Sequence, residues 1–237
     1  MSNVPEFAAF DRRHYRTLPV KDGYRAWVPS YEQTVEDVMD LALLERVETV
    51  RWADVRRAAD LGCGTGRTAR WLREHGVVAI DGVDVTPEML AVARDRDLHA
   101  RLVEADVRET GLDDGAYDLV VCSLVDEHLP ELGALYREAR RLLEPHGAFV
   151  LVGFHPFFIM RAGMPTHFDG PDGAPVAVET HIHLFADHVG AAGAARFVAA
   201  ELHEGVMEDA WIRRKPQWEH YRGWPVSFAW VWRAVSD

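Results

Sequence analysis

The chain has 237 residues, of which 48% are apolar and 27% charged, an ordinary composition for a domain that buries its own core. That excludes a disordered tail protein and a collagenous chain, and two cysteines alone, Cys63 and Cys122, exclude a disulfide scaffold. Acidic residues outnumber basic ones 38 to 26, and the formal charge of −12 repels nucleic acid and anionic membrane alike.

The first thirty residues hold no stretch resembling a signal-peptide core, and no window reaches the roughly 20 apolar residues of a membrane span. A soluble cytoplasmic protein is expected, monomeric or homodimeric, with a small-molecule partner and neither nucleic acid nor membrane. Residues 1–30 read as irregular, punctuated by Pro19, Gly23 and Pro29. From Tyr31 to about Val50, the positions Val35, Val38, Met39, Ala42, Leu43 and Val47 recur at helical spacing. An alternation then begins: strand 55–61, helix 68–75, strand 77–85, and helix 87–96 with Pro87 in its first turn. A short strand at 101–103, an apolar strand at 117–124 and a helix at 132–143 follow. Glu144 to Gly147 closes that helix before an apolar strand at 148–154. Further on, 186–196 reads as a helix and 197–206 as a strand. Val226, Phe228, Trp230 and Trp232 alternate along a final one.

Strands apolar on both faces, alternating with helices, describe an α/β protein with a doubly wound sheet. Ligands of such sheets bind beyond the carboxyl ends of the strands. The residues there are distinctive. Asp60-Leu61-Gly62-Cys63-Gly64-Thr65-Gly66 sets three alternating glycines between strand and helix, where backbone passes close to a ligand and helix amides point at an anion. A dinucleotide fingerprint wants glycine at its sixth position, and Arg67 stands there instead. Asp84 ends the next strand, where an acid can take both hydroxyls of a ribose. Asp106 follows the third strand, placed to receive an exocyclic amine. Together they outline a pocket for a nucleoside with a charged tail.

At these residues the chain resembles the class I S-adenosylmethionine-dependent methyltransferases of small-molecule type. Asp60 to Gly66 looks like their first motif, and Gly82-Val83-Asp84 with Pro87 to Leu90 like the second. Ala105-Asp106 is similar to the third, Tyr117 to Ser123 to the fourth, and Leu142 to Gly147 to the bend before the fifth strand, with His146 in place of a usual glycine. The resemblance spans roughly residues 30–154. It implies a Rossmann-like seven-stranded sheet with an antiparallel last strand and S-adenosyl-L-methionine as cofactor. It also implies site residues. Asp60, Gly62, Cys63, Gly64 and Gly66 hold the methionine end, and Asp84 holds the ribose, with Val85 and Met89 in the same pocket. Asp106 takes the adenine amine, Val107 packs on the ring, and Ser123 and Leu124 lie near the sulfonium. Gly23 to Tyr31 is similar to an N-terminal lead-in that folds Tyr31 over the cofactor.

One domain is therefore expected: a helical lid at 1–50, a cofactor core at 51–154, a substrate cap at 155–184, and a C-terminal helix with the last two strands at 185–237. The cap is expected because 155–183 is long and apolar for a connection. Asp126-Glu127-His128 and Phe154-His155-Pro156 follow two strand ends, so Asp126, His128 and His155 are the candidate catalytic groups, with a histidine as general base. His155, Phe158, His167, His181 and His183 are candidate substrate contacts. His181 and His183 share a face if extended, but no third ligand stands at a telling spacing, and no metal is expected. The expected activity is methyl transfer to an oxygen or nitrogen of a small organic molecule, in bacterial secondary metabolism. The alternatives are a non-methylating enzyme, such as a cyclase, keeping the cofactor as a structural element, a non-catalytic binding module, or a nicotinamide oxidoreductase.

Overall fold

The computed structural model describes residues 6–235. A short strand β1 (Arg16–Leu18) leads into helix α1 (Val20–Trp27), followed by single helical turns α2 (Tyr31–Thr34) and α3 (Leu41–Leu44). The long helix expected from residue 31 onward does not form. Val35 is extended, and Asp40 caps a fresh turn by accepting the Leu41 N–H at 2.7 Å. Of the positions at helical spacing, Met39, Leu43 and Val47 are buried while Ala42 is exposed.

The expected alternation then appears in order: β2 (Arg57–Leu61), α4 (Arg67–Glu74), β3 (Ala79–Asp84), α5 (Pro87–Asp95), β4 (Arg101–Glu104), β5 (Tyr117–Ser123), α6 (Gly133–Leu142) and β6 (Leu143–Phe154). β6 starts earlier than the sequence suggests, passing through Pro145 and His146. His146 takes a φ of 68°, the left-handed conformation a glycine would supply freely. α7 (Pro156–Ala162), β7 (His167–Asp169) and β8 (Pro175–Val178) make up the insertion. α8 (Phe185–Ala194), β9 (Phe197–Val206), α9 (Asp209–Arg214) and β10 (Pro225–Ala234) complete the chain.

Seven strands form one sheet in the order β4-β3-β2-β5-β6-β10-β9, with β10 antiparallel to both of its neighbours. The Rossmann-like sheet and its antiparallel last strand are as the resemblance implied. Along β5, Val120 and Cys122 enter one core while Leu119 and Val121 enter the other, which is why the strand is apolar throughout. Leu135, Tyr136, Ala139 and Leu142 of α6 cover the first face, and Trp71 and Leu72 of α4 the second. The strand order reverses between β2 and β5, so a crevice opens beyond their ends.

A second sheet, β1-β8-β7, was not expected. It pairs Arg16 to Leu18 of the N-terminal segment, read as irregular, in parallel with Val176 to Val178 of the insertion. Trp27 of α1 stacks on Phe168 of β7 at a centroid separation of 5.2 Å. Lid and cap are thus one covering layer. Its pairing joins residues some 160 apart in sequence, beyond the reach of any local pattern.

Candidate active site

Beyond β2 and β3 lies a chamber of about 240 Å³. The glycine turn forms its floor. At Gly62, φ is +74° and an added Cβ would collide with the Val125 side chain, so only glycine fits. At Gly64, φ is +51° and an added Cβ would stand in open space, a cradle left clear for a ligand. Asp84 stands over the turn. Its Oδ2 accepts the Gly64 N–H at 2.9 Å and its Oδ1 the Thr86 N–H at 2.8 Å. Burial pushes its carboxyl upward, while the two backbone bonds oppose that. Each oxygen keeps a further lone pair for a ribose hydroxyl.

The walls carry Val85, Asp106, Val107, Ser123, Leu124 and Tyr31, all expected there. The Ser123 hydroxyl is buried without a partner, a polar atom awaiting a ligand. Asp106 clamps its neighbour Arg108 through Nε at 2.9 Å and a terminal nitrogen at 2.7 Å. Those bonds hold its carboxyl below the usual range. Asp60, Cys63, Gly66 and Met89, placed in the pocket from sequence, do not line it. Asp60 and Cys63 are buried around the turn, and the unpartnered Asp60 Oδ2 lies 3.9 Å from His99 Nε2. Gly66 opens α4 and Met89 is packed within α5.

Tyr24, Tyr31 and Leu124 also line a second chamber of about 410 Å³ under the covering layer. Trp27, Phe168, Trp211 and Trp218 give it aromatic walls, and Glu36, Glu127, Asp169, His167 and Lys215 its acidic and basic groups. Of the substrate contacts expected from sequence, His167 alone lies here. Phe158 is fully buried in a cluster with Met39 and Trp218. His183 Nε2 donates to the Leu129 carbonyl at 2.8 Å, and His181 gives its backbone N–H to the Glu127 carbonyl at 2.6 Å. Residues 179–184 are not a strand, so the shared face expected for the two imidazoles does not arise. Among the described residues no group of three or more His, Cys, Asp and Glu side chains is arranged to hold a metal.

The candidate catalytic residues separate. His155 lines neither chamber. Its Nδ1 accepts the Phe157 N–H at 3.1 Å, capping α7, so its Nε2 carries the proton and donates to Glu204 at 2.9 Å. Both nitrogens are committed, and the residue is a helix cap. Asp126 lies beneath the site, wholly buried, with its carboxyl against Gly153 and 3.6 Å from His188. His128 does reach the cofactor chamber. Its Nδ1 faces the Glu179 carbonyl at 2.7 Å and must donate, leaving Nε2 to accept the Tyr24 hydroxyl at 2.8 Å. That bond fixes Tyr24 at the junction of the chambers and occupies the lone pair a base would need. Sequence reasoning missed Tyr24, Trp27 and Lys215 because their places depend on the covering layer. It passed over Glu127, whose neighbours on both sides it chose.

Residues 59–151 match the methyltransferase-domain family. That segment is a methyltransferase domain. S-adenosylmethionine, the cofactor that the resemblance implies, fits the first chamber: a clear glycine cradle, a paired acid above it and an unpartnered hydroxyl. The chain is 33% identical over 145 residues to a malonyl-[acyl-carrier protein] O-methyltransferase of Geobacter sulfurreducens, covering 59% of this chain and 52% of that one. Identity is likewise 33%, over 101 residues, to a ubiquinone biosynthesis O-methyltransferase of Xanthomonas oryzae, covering 40% of this chain and 41% of the other. The chain therefore spans about half the length of the curated relatives it matches. An S-adenosylmethionine-dependent methyltransferase structure from Mesorhizobium loti superposes with a TM-score of 0.65 at 24% identity, over 83% of this chain and 97% of that one, which shows the shared fold. No helix among the described residues is long and apolar enough to cross a membrane.

Proposed function

We propose that the protein methylates an oxygen or nitrogen of a small organic molecule bound in the aromatic chamber. The observation that carries this reading is the junction at Tyr24, Tyr31 and Leu124, where the cofactor chamber meets a second chamber of about 410 Å³. When bound, S-adenosylmethionine supplies a methyl group activated by its sulfonium. Gly64, Asp84 and Asp106 hold and orient it, and Tyr24 and Tyr31 bound the passage between the chambers. Trp27, Phe168 and Trp218 exclude water and present flat apolar surface to the acceptor. Orientation of this kind supplies about 7–11 kcal/mol of a bimolecular barrier. The names of the O-methyltransferase relatives support transfer to a small molecule. A place in bacterial secondary metabolism, in the cytoplasm and as a monomer or homodimer, belongs to the same proposal.

Calorimetric titration with S-adenosylmethionine, S-adenosylhomocysteine and NAD tests the first chamber. Micromolar binding of the first two and none of NAD is expected. A substrate screen read by mass then tests transfer: a product heavier by one methyl group supports it. Turnover without that gain would favour the cyclase-like alternative, and binding without turnover the non-catalytic one.

A further inference from the structure

Glu127 lines the aromatic chamber although its side chain is only 2% exposed. A buried carboxylate needs several donors, having about four lone-pair positions to satisfy. Glu127 has few. Thr166 Oγ1 donates to Oε1 over a long 3.3 Å, and His128 Nε2, 3.7 Å away, is already accepting from Tyr24. Oε2 receives no N–H or hydroxyl from the protein among the described residues. Asp126 adjoins it, also fully buried. Burial, with the neighbouring Glu127, pushes the Asp126 carboxyl well up.

We infer that Glu127 receives a hydrogen bond from the methyl-accepting atom itself, so that the substrate is a hydroxyl or N–H compound with a flat apolar body and not a carboxylate. This rests on the methyl-transfer reading above and narrows its substrate class. A carboxylate acceptor at that position would bring a second anion against Glu127, whose side-chain donor is the distant Thr166 hydroxyl; Lys215 on the chamber wall makes no ion pair with Glu127 among the described residues. A hydroxyl or N–H supplies the donor that Oε2 lacks.

The proton balance follows. The acceptor's lone pair forms the new bond to carbon, and the carbon–sulfur pair stays on sulfur. The acceptor's O–H or N–H pair stays on that atom, and its proton passes to Glu127. One positive sulfonium and one negative carboxylate become a neutral thioether and a neutral acid.

The test uses the full chain saturated with S-adenosylhomocysteine and three probes of one shape: phenol, anisole and benzoate. Phenol should bind at least about tenfold more tightly than either of the others, the worth of one charge-assisted bond. In Glu127→Gln the amide can donate to an anion, so benzoate should gain about tenfold while phenol weakens. A melting temperature and S-adenosylhomocysteine affinity like those of the native protein establish that the variant is folded, and the ranking in the native protein stands even if it is not. Native protein that binds benzoate as well as phenol, or no phenol at all, overturns the inference. So does an unchanged ranking in the folded variant. Failure of S-adenosylhomocysteine to bind the native protein removes the methyl-transfer reading itself, and the inference falls with it.

Discussion

The Arg67 guanidinium is gripped from both sides by Asp40, at 3.0 and 3.1 Å, with Asp37 completing the contact at 2.6 Å. Arg67 is the first residue of α4, directly after the glycine turn, where a cation is disfavoured by the helix dipole. The two carboxylates offset that penalty. They also bring the segment after Tyr31 down onto the cofactor chamber, and Glu32 reinforces the closure by bonding Thr65 of the turn and Arg96.

Removing Asp40 should therefore be costly. The Asp40→Ala variant leaves a buried guanidinium short of its main partner, and about 3–5 kcal/mol of stability should be lost. Cofactor affinity should fall as well, since Tyr31 walls the chamber. Urea denaturation measures the first effect and calorimetry the second. A variant as stable as the native protein would mean that Asp37 alone holds the segment.

Asp84→Ala removes the acceptor for two backbone N–H groups and for the ribose. Two hydrogen bonds to a charged group are together worth about 3 kcal/mol or more, so cofactor binding should weaken by at least about a hundredfold. Unchanged affinity in an S-adenosylhomocysteine titration would sink the assignment of the chamber.

His155→Ala should behave as loss of a helix cap. A fall of about 1 kcal/mol in stability is expected, with cofactor affinity and turnover changed by less than about twofold. A large drop in turnover at native stability would return His155 to the reacting groups.

Gly153 is needed for what lies over it. A Cβ there would stand 2.5 and 2.7 Å from the Asp126 carboxyl oxygens and 2.8 Å from Phe228 Cζ. Gly153→Ala should cost about 1–3 kcal/mol through overpacking. Equal melting temperatures for variant and native protein would show that the Asp126 carboxyl can move aside.

His188 makes stability depend on pH. Burial, aided by His183, pushes its pKa down to about 3 in the folded protein. Below the ordinary imidazole value near 6.5, the unfolded chain binds a proton that the folded protein refuses, so stability falls as pH falls from about 6.5 toward 3. At pH 5 the loss from this group alone is about 2 kcal/mol. Denaturation midpoints at pH 7.5 and pH 5 should diverge, and His188→Gln should narrow the gap. A gap of native size in that variant would assign the effect to His155, His167 and His183, which burial shifts the same way.

The core of this fold was legible because its signals are local. The glycine turn, Asp84 and the apolar run of β5 each encode their place within a few residues, through backbone conformation, strand-end position and burial on both faces. His155 shows where such reasoning stops. A histidine after a strand end satisfies the pattern for a base, but whether its nitrogens are free depends on Glu204, 49 residues away. The helix expected from residue 31 onward failed for a related reason: Arg67 draws Asp37 and Asp40 toward α4, and an unbroken helix gives way to an extended Val35.

By itself, then, the sequence determined the doubly wound sheet, the methyltransferase domain over residues 59–151 and most of the wall of the first chamber, all properties of short segments whose chemistry is tied to their neighbours in the chain. Only the tertiary structure decided the second chamber. Pairing of β1 with β8 joins the two ends of the covering layer, sets Trp27 against Phe168 and encloses Glu127. That chamber is a product of long-range packing, because aromatic and charged residues far apart in sequence acquire a shared role only when burial brings them together.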